Sequence, residues 1–173
     1  MVEVYVGFTL DIVHTGHLKV LEKAAQLGRV TLGVLSDKAV ISHRSLPLVK
    51  YEQRKRIALG LKGVDRVVEQ NEWSYVQNLL KYKPDYFVRG DDWKLTEPEL
   101  RDAVINALDS YGGKLVETEH EIDVTNATDR FLRSQQMTSN LRLASLRRLI
   151  SAKKIVRFIE AHNPMSALIA ETL

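Results

Sequence analysis

Residues 3–17 read Glu3-Val4-Tyr5-Val6-Gly7-Phe8-Thr9-Leu10-Asp11-Ile12-Val13-His14-Thr15-Gly16-His17, and the reading of the whole chain turns on them. The opening apolar run predicts a buried strand over Glu3–Phe8. Leu18, Leu21 and Ala25 then recur at helical spacing and Gly28 supplies a stop, which predicts a helix over Gly16–Leu27. The two histidines, three apart and separated by a small residue and a glycine, therefore stand where a helix begins. A helix N-terminus presents free backbone N–H groups and the positive end of the helix dipole, a ready site for an anion. Gly16 allows close backbone approach. Two imidazoles there can donate hydrogen bonds to phosphoryl oxygens and stabilise charge that develops in a transition state. A lone histidine would read as a satisfied polar residue; the eleven-residue unit from Gly7 to His17, set between strand and helix, reads as a functional site. Two histidines at this spacing could also ligate zinc, but no carboxylate at a diagnostic spacing completes the set, so no protein-held metal is expected.

Outward from this unit, strand-like and helix-like runs alternate. Strands are expected at Arg29–Leu35, Arg66–Glu69, Asp85–Val88 and Lys114–Glu117. Helices are expected at Tyr51–Leu61 after Pro47, at Trp73–Tyr82 ended by Pro84, and at Pro98–Leu108 before the Gly112-Gly113 break. Such alternation predicts an α/β fold, a parallel sheet with helices on both faces. Ligands on such sheets sit beyond the carboxyl ends of the strands, where the winding direction switches. After Thr118 the pattern loosens, and a domain edge is expected within 135–145, dividing the chain into a domain over 1–140 and a helical tail over 141–173.

Composition narrows the function classes. The 173 residues are 45% hydrophobic, too apolar for a disordered chain, and too few for an eight-stranded barrel enzyme. With no cysteine, Cys-ligated metal sites and thiol catalysis are excluded. The absence of cysteine fits a cytoplasmic location. No signal peptide or membrane span is read from the sequence. Residues 130–157 carry eight basic side chains (Arg130, Arg133, Arg142, Arg147, Arg148, Lys153, Lys154, Arg157) and no acidic one, so the net charge of +3 becomes −5 without them. This run has almost no aromatic interleaving and reads as a solvated helix face, so neither nucleic acid nor membrane is an expected partner.

Three motifs in order, His14-Thr15-Gly16-His17, Tyr51-Glu52-Gln53-Arg54-Lys55 and Gly90-Asp91-Asp92-Trp93, resemble those of the HxGH nucleotidyltransferases, in particular cytidylyltransferases of the glycerol-3-phosphate type. The resemblance covers about residues 2–128 and implies a Rossmann-like nucleotidyltransferase fold. It makes His14 and His17 contacts of the nucleotide phosphates and stabilisers of the transition state. It places the triphosphate on the loop Gly7-Phe8-Thr9-Leu10 through backbone groups, and the cytidine end near Gly90, Asp91, Asp92 and Trp93. Asp11 either fixes a histidine tautomer or caps the helix. Where relatives carry phosphate-clamping lysines before the second helix, Ser42-His43-Arg44-Ser45-Leu46-Pro47 stands here, and Arg44 is the best substitute because its planar fork suits a pair of phosphate oxygens. Near the domain end, Thr125, Asn126 and Thr128 occupy the place of a nucleotide-holding segment. Trp73, Tyr75 and Lys19 are candidates for the acceptor pocket, with packing or solvation the plainer reading of each.

The tail carries a second resemblance. Leu146–Ile150 and then Phe158-Ile159-Glu160-Ala161-His162-Asn163-Pro164-Met165-Ser166-Ala167-Leu168-Ile169-Ala170-Glu171 look like the opening of phosphoenolpyruvate mutase. Together the two resemblances imply the N-terminal part of a bifunctional protein of fosfomycin-type phosphonate biosynthesis. The activity implied is cytidylyl transfer from Mg²⁺-CTP to a small phosphonate, 2-hydroxyethylphosphonate first, with 2-aminoethylphosphonate or glycerol 3-phosphate as alternatives. A nucleotide-binding sensor or scaffold is the alternative of another class. A homodimer is expected by the same resemblance.

Overall fold

The computed structural model describes residues 1–44, 46–119 and 139–152. Five strands, β1 (Glu3–Phe8), β2 (Arg29–Leu35), β3 (Arg66–Gln70), β4 (Tyr86–Gly90) and β5 (Lys114–Thr118), form one sheet in the order β3-β2-β1-β4-β5. All four pairings are parallel. Among the described residues the helices are α1 (Thr15–Leu27), α2 (Asp37–Ile41), α3 (Tyr51–Leu59), α4 (Val76–Tyr82), α5 (Trp93–Thr96), α6 (Pro98–Asp109) and α7 (Ser139–Ala152). The order reverses between β1 and β4, which sets the switch point at the carboxyl ends of those two strands. The fold is Rossmann-like, as expected.

Side-chain alternation along β1 explains why helices cover both faces. Val4, Val6 and Phe8 pack on one side with Val20, Leu21 and Ala24 of α1 and Ala58 of α3. Tyr5 points to the other side and joins Leu79 of α4, Trp93 of α5 and Val104 and Leu108 of α6. Each such apolar side chain contributes about 1.5–3 kcal/mol on leaving water. Two glycines are dictated by this second face. A Cβ on Gly33 would overlap the Tyr5 hydroxyl, and one on Gly7 would overlap the Tyr75 ring. The buried Tyr5 hydroxyl is satisfied, bonding Gln70 Oε1 at 2.9 Å and accepting from Asn78 Nδ2 at 2.7 Å.

Several expected boundaries move. The third predicted helix begins at Val76 rather than Trp73, because Trp73 is buried against Leu35, Ala39 and Val40 before the helix starts. The second ends at Leu59, where the Gly60 N–H closes on Ile57. α7 begins at Ser139, within the 135–145 stretch where the domain edge is expected.

Candidate active site

The site is built from the turn after β1. Leu10 lies in the left-handed region at φ 58°, a conformation that costs a non-glycine residue about 1–2 kcal/mol. Its side chain is only 1% exposed, so core burial offsets that cost. The turn leads through half-buried residues to His14, which caps α1 with extended backbone. His17 N–H donates to the His14 carbonyl at 3.0 Å, and His17 Nδ1 accepts from the His14 N–H at 3.4 Å. The two imidazoles lie 3.8 Å apart between centroids, and Phe8 meets the His17 ring edge-on at 4.5 Å. Gly16 makes this pairing possible, since a Cβ there would press on the His14 ring at 3.0 Å.

Burial, with the neighbouring His14 adding to it, pushes His17 down to about 3. The ring is neutral at physiological pH. Because Nδ1 accepts a backbone hydrogen bond, its proton sits on Nε2, leaving an N–H donor. A neutral donor suits the positive end of a helix, where an imidazolium would be repelled.

Asp11 does neither of the jobs expected of it. Its carboxylate accepts from the N–H groups of Leu48 at 3.0 Å and Val49 at 2.8 Å, tying the turn to the segment before α3. Arg54, the fourth residue of α3, is fully buried and pairs with Asp37 at 2.8 Å. It also donates to the carbonyls of Val49 and Thr9. The carbonyl of Thr9, whose backbone is expected to bind phosphate, accepts from Arg54; the backbone group able to meet a phosphate oxygen is the N–H. Gly7 and Phe8 are the last two residues of β1: Gly7 gives Tyr75 its space, and Phe8 meets the His17 ring edge-on.

The second motif loop follows β4, hydrogen-bonded neighbour of β1. Gly90 ends the strand, and the Asp91 N–H donates to the Thr118 carbonyl. Asp91 and Asp92 remain half-buried at the rim. Trp93, expected at the cytidine end, is fully buried, with its indole N–H donating to Glu117 at 2.9 Å. Its side chain leaves no exposed face for a base. Glu117 also accepts two hydrogen bonds from Arg101, and these, with the Trp93 and Lys94 contacts, hold its carboxyl down at about 2.

Arg44 is exposed and lies 4.9 Å over the Trp73 ring, while His43 stacks on the same indole at 5.2 Å. Trp73 in turn donates to Glu97, which pairs with Arg89 at 3.1 Å. Arg89 lies 4.3 Å over Trp93 and 5.0 Å over Tyr75. Trp73 and Tyr75 are 8% and 5% exposed, so both pack chiefly in the core. Lys19 is exposed on α1. Thr125, Asn126 and Thr128 lie outside the described residues.

Sequence reasoning passed over Asp37 and Arg89, and quoted Arg54 within a motif without giving it a role. Arg54 carried a usable signal, because Tyr51, Arg54 and Ala58 recur at helical spacing on the face that α3 turns inward. Asp37 opens α2 one residue beyond the end of β2, at the carboxyl edge where ligands gather.

Residues 5–109 match the cytidylyltransferase-like family, and the chain belongs to it. It is 31% identical over 102 residues to an FAD synthase from Archaeoglobus profundus, a match covering 59% of this chain and 66% of that protein. It is 34% identical over 88 residues to a glycerol-3-phosphate cytidylyltransferase from Bacillus subtilis, covering 50% of this chain and 68% of that one. A solved lipopolysaccharide core biosynthesis protein from Thermoplasma volcanium shares the fold with a TM-score of 0.60 at 25% identity, covering 70% of this chain and 99% of that chain. Among the described residues no helix is long and apolar enough to cross a membrane.

Proposed function

We propose that the protein transfers a cytidylyl group from CTP to a small phosphonate, 2-hydroxyethylphosphonate being the acceptor that the tail favours. The nucleotidyl-transfer half rests on one observation above the others: two imidazoles 3.8 Å apart on the first turn of α1, beside the switch point of a parallel sheet. The cytidine half is supported by family membership and by the glycerol-3-phosphate cytidylyltransferase relative. The phosphonate half is supported by the likeness of residues 146–171 to phosphoenolpyruvate mutase. The family resemblance makes a homodimer the proposed assembly.

In the proposed reaction a phosphonate oxygen attacks the α-phosphorus of CTP. The bond from that phosphorus to the bridging oxygen breaks, and pyrophosphate leaves with the electron pair. The acceptor oxygen is already ionised near neutral pH, as in a phosphate monoester, so the site needs no general base. What it needs is alignment and stabilisation of spreading negative charge. His17, neutral with its proton on Nε2, donates to a phosphoryl oxygen; His14 stands beside it, and the positive end of α1 adds to their effect. Arg44 swings from its place over Trp73 onto the triphosphate. Magnesium bound to CTP would neutralise part of the phosphate charge. The described residues contain no cluster of three His, Asp or Glu side chains for an ion held apart from the nucleotide.

The test is pyrophosphate release with Mg²⁺ and CTP against 2-hydroxyethylphosphonate, 2-aminoethylphosphonate and glycerol 3-phosphate, with ATP as the nucleotide control. Turnover with CTP and one phosphonate is expected. Turnover with glycerol 3-phosphate alone would overturn the phosphonate half, and CTP binding without pyrophosphate release would favour a sensor or scaffold.

A further inference from the structure

The short segment Pro47-Leu48-Val49 is held in an unusual way. It belongs to no helix or strand, yet five of its backbone groups are engaged by side chains from three separate parts of the chain. Asp11, in the turn before α1, takes the N–H groups of Leu48 and Val49. Arg54 of α3 donates from Nε to the Val49 carbonyl at 3.0 Å. Arg148 of α7, about a hundred residues away in sequence, donates to the carbonyls of Pro47 at 2.9 Å and Leu48 at 3.2 Å. The two arginines are joined through one carboxylate: Asp37 pairs with Arg54 through Oδ1 at 2.8 Å and with Arg148 through Oδ2 at 2.9 Å. Arg54 extends the chain of contacts to the Thr9 carbonyl, on the turn that leads to His14.

We propose that Arg148 is a positioning residue for the nucleotide site, fixing the 47–49 segment and, through Asp37, Arg54 and Asp11, the turn that presents His14 and His17. A guanidinium suits this task because its planar fork serves two carbonyls and a carboxylate at once, which an ammonium cannot do in the same geometry. The tail helix thereby becomes part of the nucleotidyl-transfer unit, although it lies outside the residues that match the family. Arg148 acts before chemistry, on whether the triphosphate cradle is assembled. Its loss should therefore weaken CTP binding more than it slows the bound complex.

This inference rests on the reading of the site as a CTP site, so one readout must stand apart from CTP. Arg148→Ala, Arg148→Lys and, as a control for charge on the same helix, the exposed Arg147→Ala would be compared with the unaltered chain. Two quantities would be measured: the rate of tryptic cleavage after Arg44 and Lys50, followed by mass spectrometry, and the KM for CTP against kcat. Arg148→Ala should raise both the cleavage rate and the KM about tenfold, the scale of one lost charge-assisted hydrogen bond, with kcat changed less than about twofold. Arg148→Lys should recover part of each, and Arg147→Ala should match the unaltered chain. Unchanged cleavage and KM in Arg148→Ala, or an equal effect of Arg147→Ala, would overturn the proposal. If Arg148→Ala does not fold, Arg148→Lys carries the test, and a parental phenotype there overturns it. If the unaltered protein fails to bind CTP while Arg148→Ala still speeds cleavage, the clamp stands and the CTP reading falls.

Discussion

The turns after β1 and after β4 are neighbours on one sheet edge, and both carry a sequence motif, yet they spend their residues differently. After β1 the large apolar residue is Leu10, which sinks into the core in a left-handed conformation and leaves both histidines on the rim. After β4 the large residue is Trp93, one of four motif residues expected near the cytidine end, and it is the residue that sinks. Its indole is held by Glu117 and covered by Arg89. In each turn one bulky side chain anchors the loop, at 1% exposure for Leu10 and 0% for Trp93. The comparison teaches that the anchor is chosen by apolar area, whatever motif the residue belongs to.

The largest expected effect tests that statement on the β4 side. Trp93→Ala should cost about 3–5 kcal/mol of stability, as removal of a large buried aromatic does, measured by urea unfolding. Against a total stability of about 5–15 kcal/mol this approaches the point of unfolding. Trp93→Phe should keep most of it. A Trp93→Ala protein of unaltered stability with impaired CTP binding would return the indole to the nucleotide.

On the β1 side the loss should be functional. His14→Ala and His17→Ala should each lower kcat on the order of 10²–10³-fold, the cost of removing a preorganised donor. Their melting temperatures should stay close to that of the unaltered chain, since Leu10 rather than the histidines anchors the turn. A collapse in stability with no loss in kcat per folded molecule would erase the contrast between the two turns.

Beneath both turns lies the tyrosine face of the sheet. Gly33→Ala should cost about 1–3 kcal/mol, because the added methyl would occupy the space of the Tyr5 hydroxyl. Combining it with Tyr5→Phe should cost less than the sum of the two single changes, since removing the hydroxyl opens that space. Strict additivity would show that the sheet relaxes elsewhere.

Much of this architecture is legible in the sequence, for reasons that differ by element. β1 and β2 are bounded as expected, because they are continuous apolar runs ended by a turn motif and by a polar segment. The five-residue α2 was missed because so short a helix shows too little periodicity to register and forms only through packing. The histidine pair was legible because its whole signal is local. Helical spacing put Arg54 on the inward face of α3, but its partners could not be read, because Thr9 and Asp37 lie 45 and 17 positions away. A charged residue on a helix reads as solvated until the partners that neutralise it are known. Asp11 was misjudged for the same reason, its partners being backbone groups 37 and 38 positions onward.

Acid also separates the two turns. His17 is held neutral down to about 3, against an ordinary value of 6.5, so between those limits the unfolded chain binds a proton that the folded one refuses. Stability contributed at the β1 turn should therefore fall as pH drops from 6.5 toward 3, by at most about 1.4 kcal/mol per pH unit for a single proton. Glu117 is held at about 2, against an ordinary 4.5, so the stability it gives the β4 turn is complete above 4.5 and is lost as pH falls toward 2. His17→Gln should flatten the stability profile in the upper window, and Glu117→Gln should flatten it in the lower one. Unfolding free energies measured by urea at half-unit steps from pH 7 to pH 3 would show both. Between pH 6.5 and 4.5 only the His17 substitution should change the slope, so a matching change from Glu117→Gln there would mean that the two turns titrate as one unit.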